Sequence, residues 1–149
     1  MSENDPAERV AGHWEDVIAD MEATAEGYRE ADWEVLELHP GDVTVIDDQH
    51  GLDVLVPGSE FEELEALAAE ATFGSYEVYR AAESEMVFAL VVLEDTDDER
   101  AVCCPTYYER DDIERVKRHI GDDGVLYTHI RPLADDRAVT FSYEEPDLF

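Results

Sequence analysis

The sequence predicts one α+β domain, with three helices packed on a mainly antiparallel sheet of about eight strands, and three observations predict it. Three stretches carry apolar residues at spacings of three, four or seven, the period of a helix with one buried face. Between them lie short runs rich in Val, Tyr and Thr, bounded by Gly, Pro and Asp, which mark strands and turns. Apolar residues make up 44% of the 149, enough for a sizeable core. No Ser/Gly/Pro-rich linker divides them, so residues 1–149 read as a single domain.

The first helix is expected from Pro6 to about Glu30. Asp5 can cap it, Pro6 suits its first position, and Glu8 completes a capping box. Val10, Trp14, Val17, Met21 and Tyr28 form its apolar stripe, with Thr24 a weak member. Two strands follow, Trp33–Leu38 and Val43–Asp47. They are joined by His39-Pro40-Gly41-Asp42, which fits a type II turn with Gly accepting the positive φ. A third strand, Leu52–Val56, comes after the polar turn Asp47–Gly51.

Ser59 with Glu62 three residues later signals the second helix, whose face is Phe61, Leu64, Leu67, Ala68 and Ala71. Tyr76–Ala81 and Met86–Leu93 then form a hairpin. The second of these is apolar on both faces, as a central strand covered on both sides must be. An acidic loop, Glu94–Glu99, leads to a strand Ala101–Cys104 that Pro105 is expected to end. The third helix spans about Glu109–Ile120 and shows Ile113, Val116 and Ile120. Strands Val125–Arg131 and Ala138–Tyr143 close the chain.

In this order, helix–strand–turn–strand occurs three times, with an extra strand after the first two. Trp33–Glu37, Tyr76–Arg80 and Tyr127–Arg131 hold matching places, which suggests an internal helix–hairpin repeat. Any hairpin that follows a helix would look the same.

Charge describes the surroundings. Forty acidic residues face ten basic ones, for a net charge of -30, and nine of the ten are Arg, with Lys117 the single Lys. Residues 1–75 hold 21 of the acids and residues 76–149 the other 19, so this is no acidic tail. Such an excess repels itself in dilute buffer. At about 1 M salt the Debye length shrinks to roughly 3 Å and most of that repulsion disappears. The expected setting is molar intracellular salt, with bulk K+ and water as the required solvent. In whole-chain character the sequence resembles small single-domain haloarchaeal cytoplasmic proteins of unknown function, in stretches such as Trp33–Leu38 and Gly51–Pro57. That resemblance implies a cytoplasmic location and no particular activity.

No basic stripe exists to displace the counterions of nucleic acid, so none is expected as a direct partner. Met1–Asp5 lacks the basic and apolar regions of a signal peptide. The longest apolar run, Met86–Leu93, is strand-sized, so no membrane association is expected. No Gly-rich phosphate loop, Ser nucleophile elbow or paired-ligand helix appears, and no cofactor is expected.

Three features remain as candidates. Cys103 and Cys104 are adjacent on a strand, so their sulfurs point to opposite faces and suit neither a shared metal nor the two-intervening-residue redox motif. Buried free thiols are the ordinary reading. A thiol exposed near His129 or Arg131 would instead be activated. Tyr127, His129 and Arg131 alternate on one strand face, where a guanidinium fork beside an imidazole suits a carboxylate or phosphate. Arg80 holds the matching place in the preceding hairpin. Where Arg is scarce and acids abound, each Arg is expected to neutralise a neighbouring carboxylate, and this remains the best anion-site candidate in the chain.

The third helix has four acids and four bases, with Asp111–Arg115 and Glu114–Arg118 as expected i,i+4 pairs. It could dock an acidic partner. His13, His39, His50, His119 and His129 show no ligand spacing, and Pro146–Phe149 is expected to fold back on the domain. Taken together, the residues favour a binding or interaction module without catalysis, contacting a protein partner or a second copy of itself. The alternative is an anion-binding protein or enzyme built from Arg80, Tyr127, His129, Arg131 and one of Cys103 and Cys104.

Overall fold

The computed structural model describes residues 6–121, 124–134 and 136–149, with the side chains of residues 6–11 outside the description. The capping roles of Asp5 and Glu8, and the place of Val10 in the stripe, fall outside it. Helix α1 runs Pro6–Glu30, followed by β1 (Glu34–Glu37), β2 (Asp42–Ile46), a 3-10 turn (Asp47–Gln49) and β3 (Gly51–Val56). Next are α2 (Gly58–Glu70), β4 (Ser75–Glu83), β5 (Met86–Asp95), β6 (Arg100–Glu109) and α3 (Arg110–Ile120). Strands β7 (Leu126–Pro132) and β8 (Val139–Tyr143) come last, before a 3-10 turn at Pro146–Leu148. Among the described residues, three helices and eight strands make the expected α+β fold.

The strands divide into two four-stranded sheets rather than one. The first has the order β1-β6-β5-β4 and the second β2-β3-β7-β8. Both are mixed, because β1 pairs parallel with β6 and β3 parallel with β7. The other four ladders are antiparallel.

Helix α1 covers the outer face of the first sheet, where Val17 and Met21 meet Phe88, Leu90, Val92 and Cys103. Ala25, fully buried, completes the stripe. The inner face of that sheet (Val87, Ala89, Val91, Leu93, Val102, Cys104) joins β3, β7, α2 and α3 in the main core. Strand β5 is therefore central and covered on both sides, as its sequence requires. Phe149 is buried against Tyr143, with ring centroids 4.9 Å apart, so the last residues do fold back.

Four local expectations are corrected. The segment His39–Asp42 is not a hairpin turn: β1 and β2 lie in different sheets, Gly41 has no positive φ, and its N–H already donates to Leu55 of the second sheet. This removes the hairpin from the first unit of the apparent repeat, although β4–β5 and β7–β8 are hairpins. Pro105 does not end its strand. Strand β1 stops at its pairing with Cys103, so β6 has an unpaired flank from there on, where proline is tolerated. Helix α2 starts at Gly58 without a side-chain cap from Ser59. Glu60 in its first turn instead accepts the His39 backbone N–H (2.6 Å) and meets the His39 imidazole (2.8 Å). On α3 the ion pairs are i,i+3, Arg115–Asp112 and Lys117–Glu114, both 3.5 Å.

The end of α1 is a Schellman motif. Asp32 stands at φ 67, Trp33 N–H donates to Tyr28 (2.9 Å) and Asp32 N–H to Arg29 (3.0 Å). A left-handed conformation suits Gly better than any residue with a Cβ, and an acid at a helix C-terminus opposes the helix dipole. Asp32→Gly is expected to stabilise the protein by about 1 kcal/mol, read as a raised urea midpoint at unchanged slope.

Candidate functional site

The second sheet has one face in the core and one face open. Along β7, Leu126, Thr128 and Ile130 are buried, and Tyr127, His129 and Arg131 point outward and are half-exposed. The pairing register sets Thr44 and Ile46 of β2, Asp53 and Leu55 of β3, and Thr140 and Ser142 of β8 on the same open face. The expected alternation on this strand holds.

Arg131 and His129 already have partners on this face. Arg131 grips Asp53 through two parallel bonds, Nε to Oδ1 at 2.7 Å and Nη2 to Oδ2 at 2.8 Å. The hydrogen bond to that carboxylate, and its charge, raise the guanidinium pKa further. His129 shares a hydrogen bond between Nδ1 and Thr140 Oγ1 (3.0 Å) and is stacked by Tyr127 at 6.0 Å. A shallow groove of about 440 Å³ is lined by Ile46, Gln49, Asp53, His129, Arg131, Asp136 and Ala138. Asp53 and Asp136 outnumber Arg131 there, which leaves no net positive charge for an anion.

The other candidates lie elsewhere. Cys103 and Cys104 belong to the first sheet, and their sulfurs take opposite faces, Cys103 beneath α1 and Cys104 in the main core. They are 0% and 2% exposed, and burial pushes both thiols from 9.0 up to about 12. Neither thiol meets His129 or Arg131 under activating conditions. Arg80 is on β4, the edge of the first sheet, near enough to Tyr108 for its charge to be felt there. Of the six residues singled out, only His129 and Arg131 line one groove, and Tyr127 adjoins them.

The buried thiols carry a prediction. An exposed thiol ionises near 9 and these only near 12. The folded state therefore holds protons that the unfolded state releases. The resulting stability is complete below pH 9 and is lost as pH rises towards 12. At pH 8 neither Cys103 nor Cys104 is expected to react with a disulfide reagent such as DTNB until urea unfolds the chain.

The histidines are used singly. His119 meets Asp47 at 2.8 Å, His39 meets Glu60, and His13 lies 3.7 Å from Glu83. Asp47, in the turn before β3, thus faces an imidazole. Among the described residues no group of three or more His, Cys, Asp or Glu could hold a metal ion. Among them, too, no helix is long and apolar enough to cross a membrane.

A family model described as a family of unknown function (DUF7529) matches residues 2–149. The chain belongs to that family. No curated protein and no solved structure matches it.

One surface of this DUF7529 chain escaped the sequence reading. At the end of α1, Tyr28, Trp33 and Tyr79 line a second groove, of about 340 Å³. The Tyr28 and Trp33 rings are 5.0 Å apart, held there by the Schellman turn. A helix-ending aromatic five residues before another is a signal the sequence does contain. The position of Tyr79 beside them depends on the sheet.

Proposed function

We propose that this DUF7529 protein is a salt-adapted binding module of the haloarchaeal cytoplasm, without catalytic chemistry of its own. It acts through the open face of the second sheet, and the occupant that suits this face best is a second copy of the chain. The observation that supports this reading most is the charge contrast. The face carries Asp42 and Asp53, with Asp136 beside the groove, against Arg131, in a protein of net charge -30. Two copies so strongly charged can approach only where carboxylates are sparse, and here Ile46, Leu55 and Tyr127 supply half-buried apolar area. Interface centres are depleted of charge and enriched in aromatics in the same way.

Absent catalysis is supported by the chemistry of the candidates. Both thiols are buried, the Arg131 guanidinium is engaged by Asp53, and the one hydroxyl bonded to His129, that of Thr140, has no donor pair beside it in the groove lining. Nucleic acid is not a direct partner in this reading, because the bases stand largely in ion pairs with Glu and Asp.

Sedimentation in roughly 2–3 M KCl, where the charges are screened, tests the interface. The wild type is expected to dimerise, and Tyr127→Glu to return it to monomer with the fold intact. A wild type that remains monomeric at every concentration removes the reading. The groove holding His129 and Arg131 supports the anion-site alternative, and phosphate distinguishes the two. Under the binding-module reading, phosphate leaves the melting temperature unchanged, since Asp53 already occupies Arg131.

A further inference from the structure

We infer that the groove at the end of α1 binds a small organic cation of the quaternary-ammonium class. It lies on the first sheet and is independent of the proposed interface. Three aromatic residues line it: Tyr28, Trp33 and Tyr79, the last 53% exposed although large and apolar. Its remaining lining is Thr24, Gly27 and Ala31, all small, and a Cβ added at Gly27 would meet nothing within 4 Å. Aromatic walls around a space left open by small residues are the arrangement that receives a trimethylammonium group.

Two carboxylates bias the site towards a cation. Glu77 accepts the Tyr79 hydroxyl, and Glu94 acts on the Tyr28 hydroxyl. The Tyr79–Glu77 bond pushes electron density into that ring and strengthens its negative face, and the Glu94 charge adds to the negative potential at Tyr28. Register places Glu77 and Tyr79 on the same side of β4, and Glu94 opposite Ser75 on the neighbouring strand, so the acids back the aromatic walls.

Screening decides the class of ion. In about 1 M salt the Debye length is roughly 3 Å, so the overall negative charge selects nothing and contacts within the groove select everything. Potassium is more strongly hydrated than a quaternary ammonium and seeks oxygen ligands. A quaternary ammonium has no N–H to satisfy, is weakly hydrated, and gains most from Trp and Tyr faces.

Choline chloride is the probe, added to 15N-labelled protein with total salt held constant by KCl, and its neutral carbon isostere 3,3-dimethylbutan-1-ol is the control. The Trp33 indole N–H is expected to shift saturably with choline at millimolar concentration, with Trp14 as the unmoved reference. Tyr79→Ala, at an exposed position, should weaken binding roughly two- to fivefold, the size of an exposed cation–π contact, and Tyr79→Phe should retain most of it. Gly27→Leu, which fills the space and favours the helix, should abolish it. A Trp33 resonance that does not saturate overturns the inference. So does an equal response to the neutral isostere, or an unchanged affinity in Tyr79→Ala.

Discussion

Gly51→Ala is expected to destabilise the protein by about 3 kcal/mol or more, the upper end for overpacking a close-packed site. An added Cβ would lie 1.8 Å from the Tyr127 carbonyl oxygen, 2.6 Å from its carbon and 2.9 Å from its nitrogen. All three atoms are backbone, so no side chain can rotate away. Gly51 opens β3 and is the register partner of Tyr127 in the parallel ladder that joins the β2–β3 pair to the β7–β8 pair. Tyr127 N–H also donates to the His50 carbonyl at 3.0 Å, with His50 itself at φ 52. A methyl group there must part the two strands at the start of their ladder. Gly41→Ala is the control, because its Cβ would meet nothing within 4 Å; such a site is expected to change stability by less than about 0.5 kcal/mol. Urea titration in molar KCl measures both. A Gly51→Ala protein with an unchanged midpoint would show that the ladder accommodates the methyl group.

Withdrawal of salt is expected to unfold the wild type. Among the described residues Arg and Lys pair with Glu34, Glu37, Glu65, Glu70, Asp53, Asp112 and Glu114, and with ten basic residues for forty acids most of the rest have none to pair with. Helix α2 shows the problem locally: it holds Glu60, Glu62, Glu63, Glu65 and Glu70, with no basic residue in its last turn to answer the dipole. At about 0.01 M salt the Debye length is roughly 30 Å, so each carboxylate feels those across the molecule. A folded state that is stable by only about 5–15 kcal/mol cannot sustain that repulsion. The near-UV circular dichroism of the aromatic contacts should collapse below about 0.1 M KCl, where screening fails, and return when KCl is restored. A melting temperature that is the same in millimolar buffer as in molar KCl would refute salt adaptation and direct the search to a bound counterpart.

Local signals were legible where one residue pattern has one physical solution. Val17 and Met21 on α1, Phe61, Leu64 and Leu67 on α2, and Ile113 and Val116 on α3 are buried as their spacing requires. The alternation along β7 and the opposed thiols of Cys103 and Cys104 follow from strand geometry alone, since successive side chains point to opposite faces. Signals that depend on a distant strand were not legible. His39-Pro40-Gly41-Asp42 has the composition of a hairpin turn, but β1 finds a partner in β6, over sixty residues away, and the segment becomes a crossing between sheets. Pro105 has the composition of a strand end, and only the short length of β1 frees its flank.

The same division runs through the candidate sites. That Tyr127, His129 and Arg131 share a face is a property of one strand. That Asp53 takes both donors of Arg131 is a property of the β3–β7 pairing, which no local pattern encodes. The aromatic groove combines the two kinds of information: Tyr28 and Trp33 are brought together by a turn of five residues, and Tyr79 arrives by strand pairing.

By itself the chain determined its helices, the strands apolar on one face or two, and a strongly acidic charge balance, because burial period and electrostatic repulsion act through neighbours and through the sum. Tertiary structure alone decided that there are two sheets, which strands run parallel, and which reactive groups are buried or neutralised. Those outcomes depend on contacts between segments far apart in the chain, whose energies exist only once both have been brought into register.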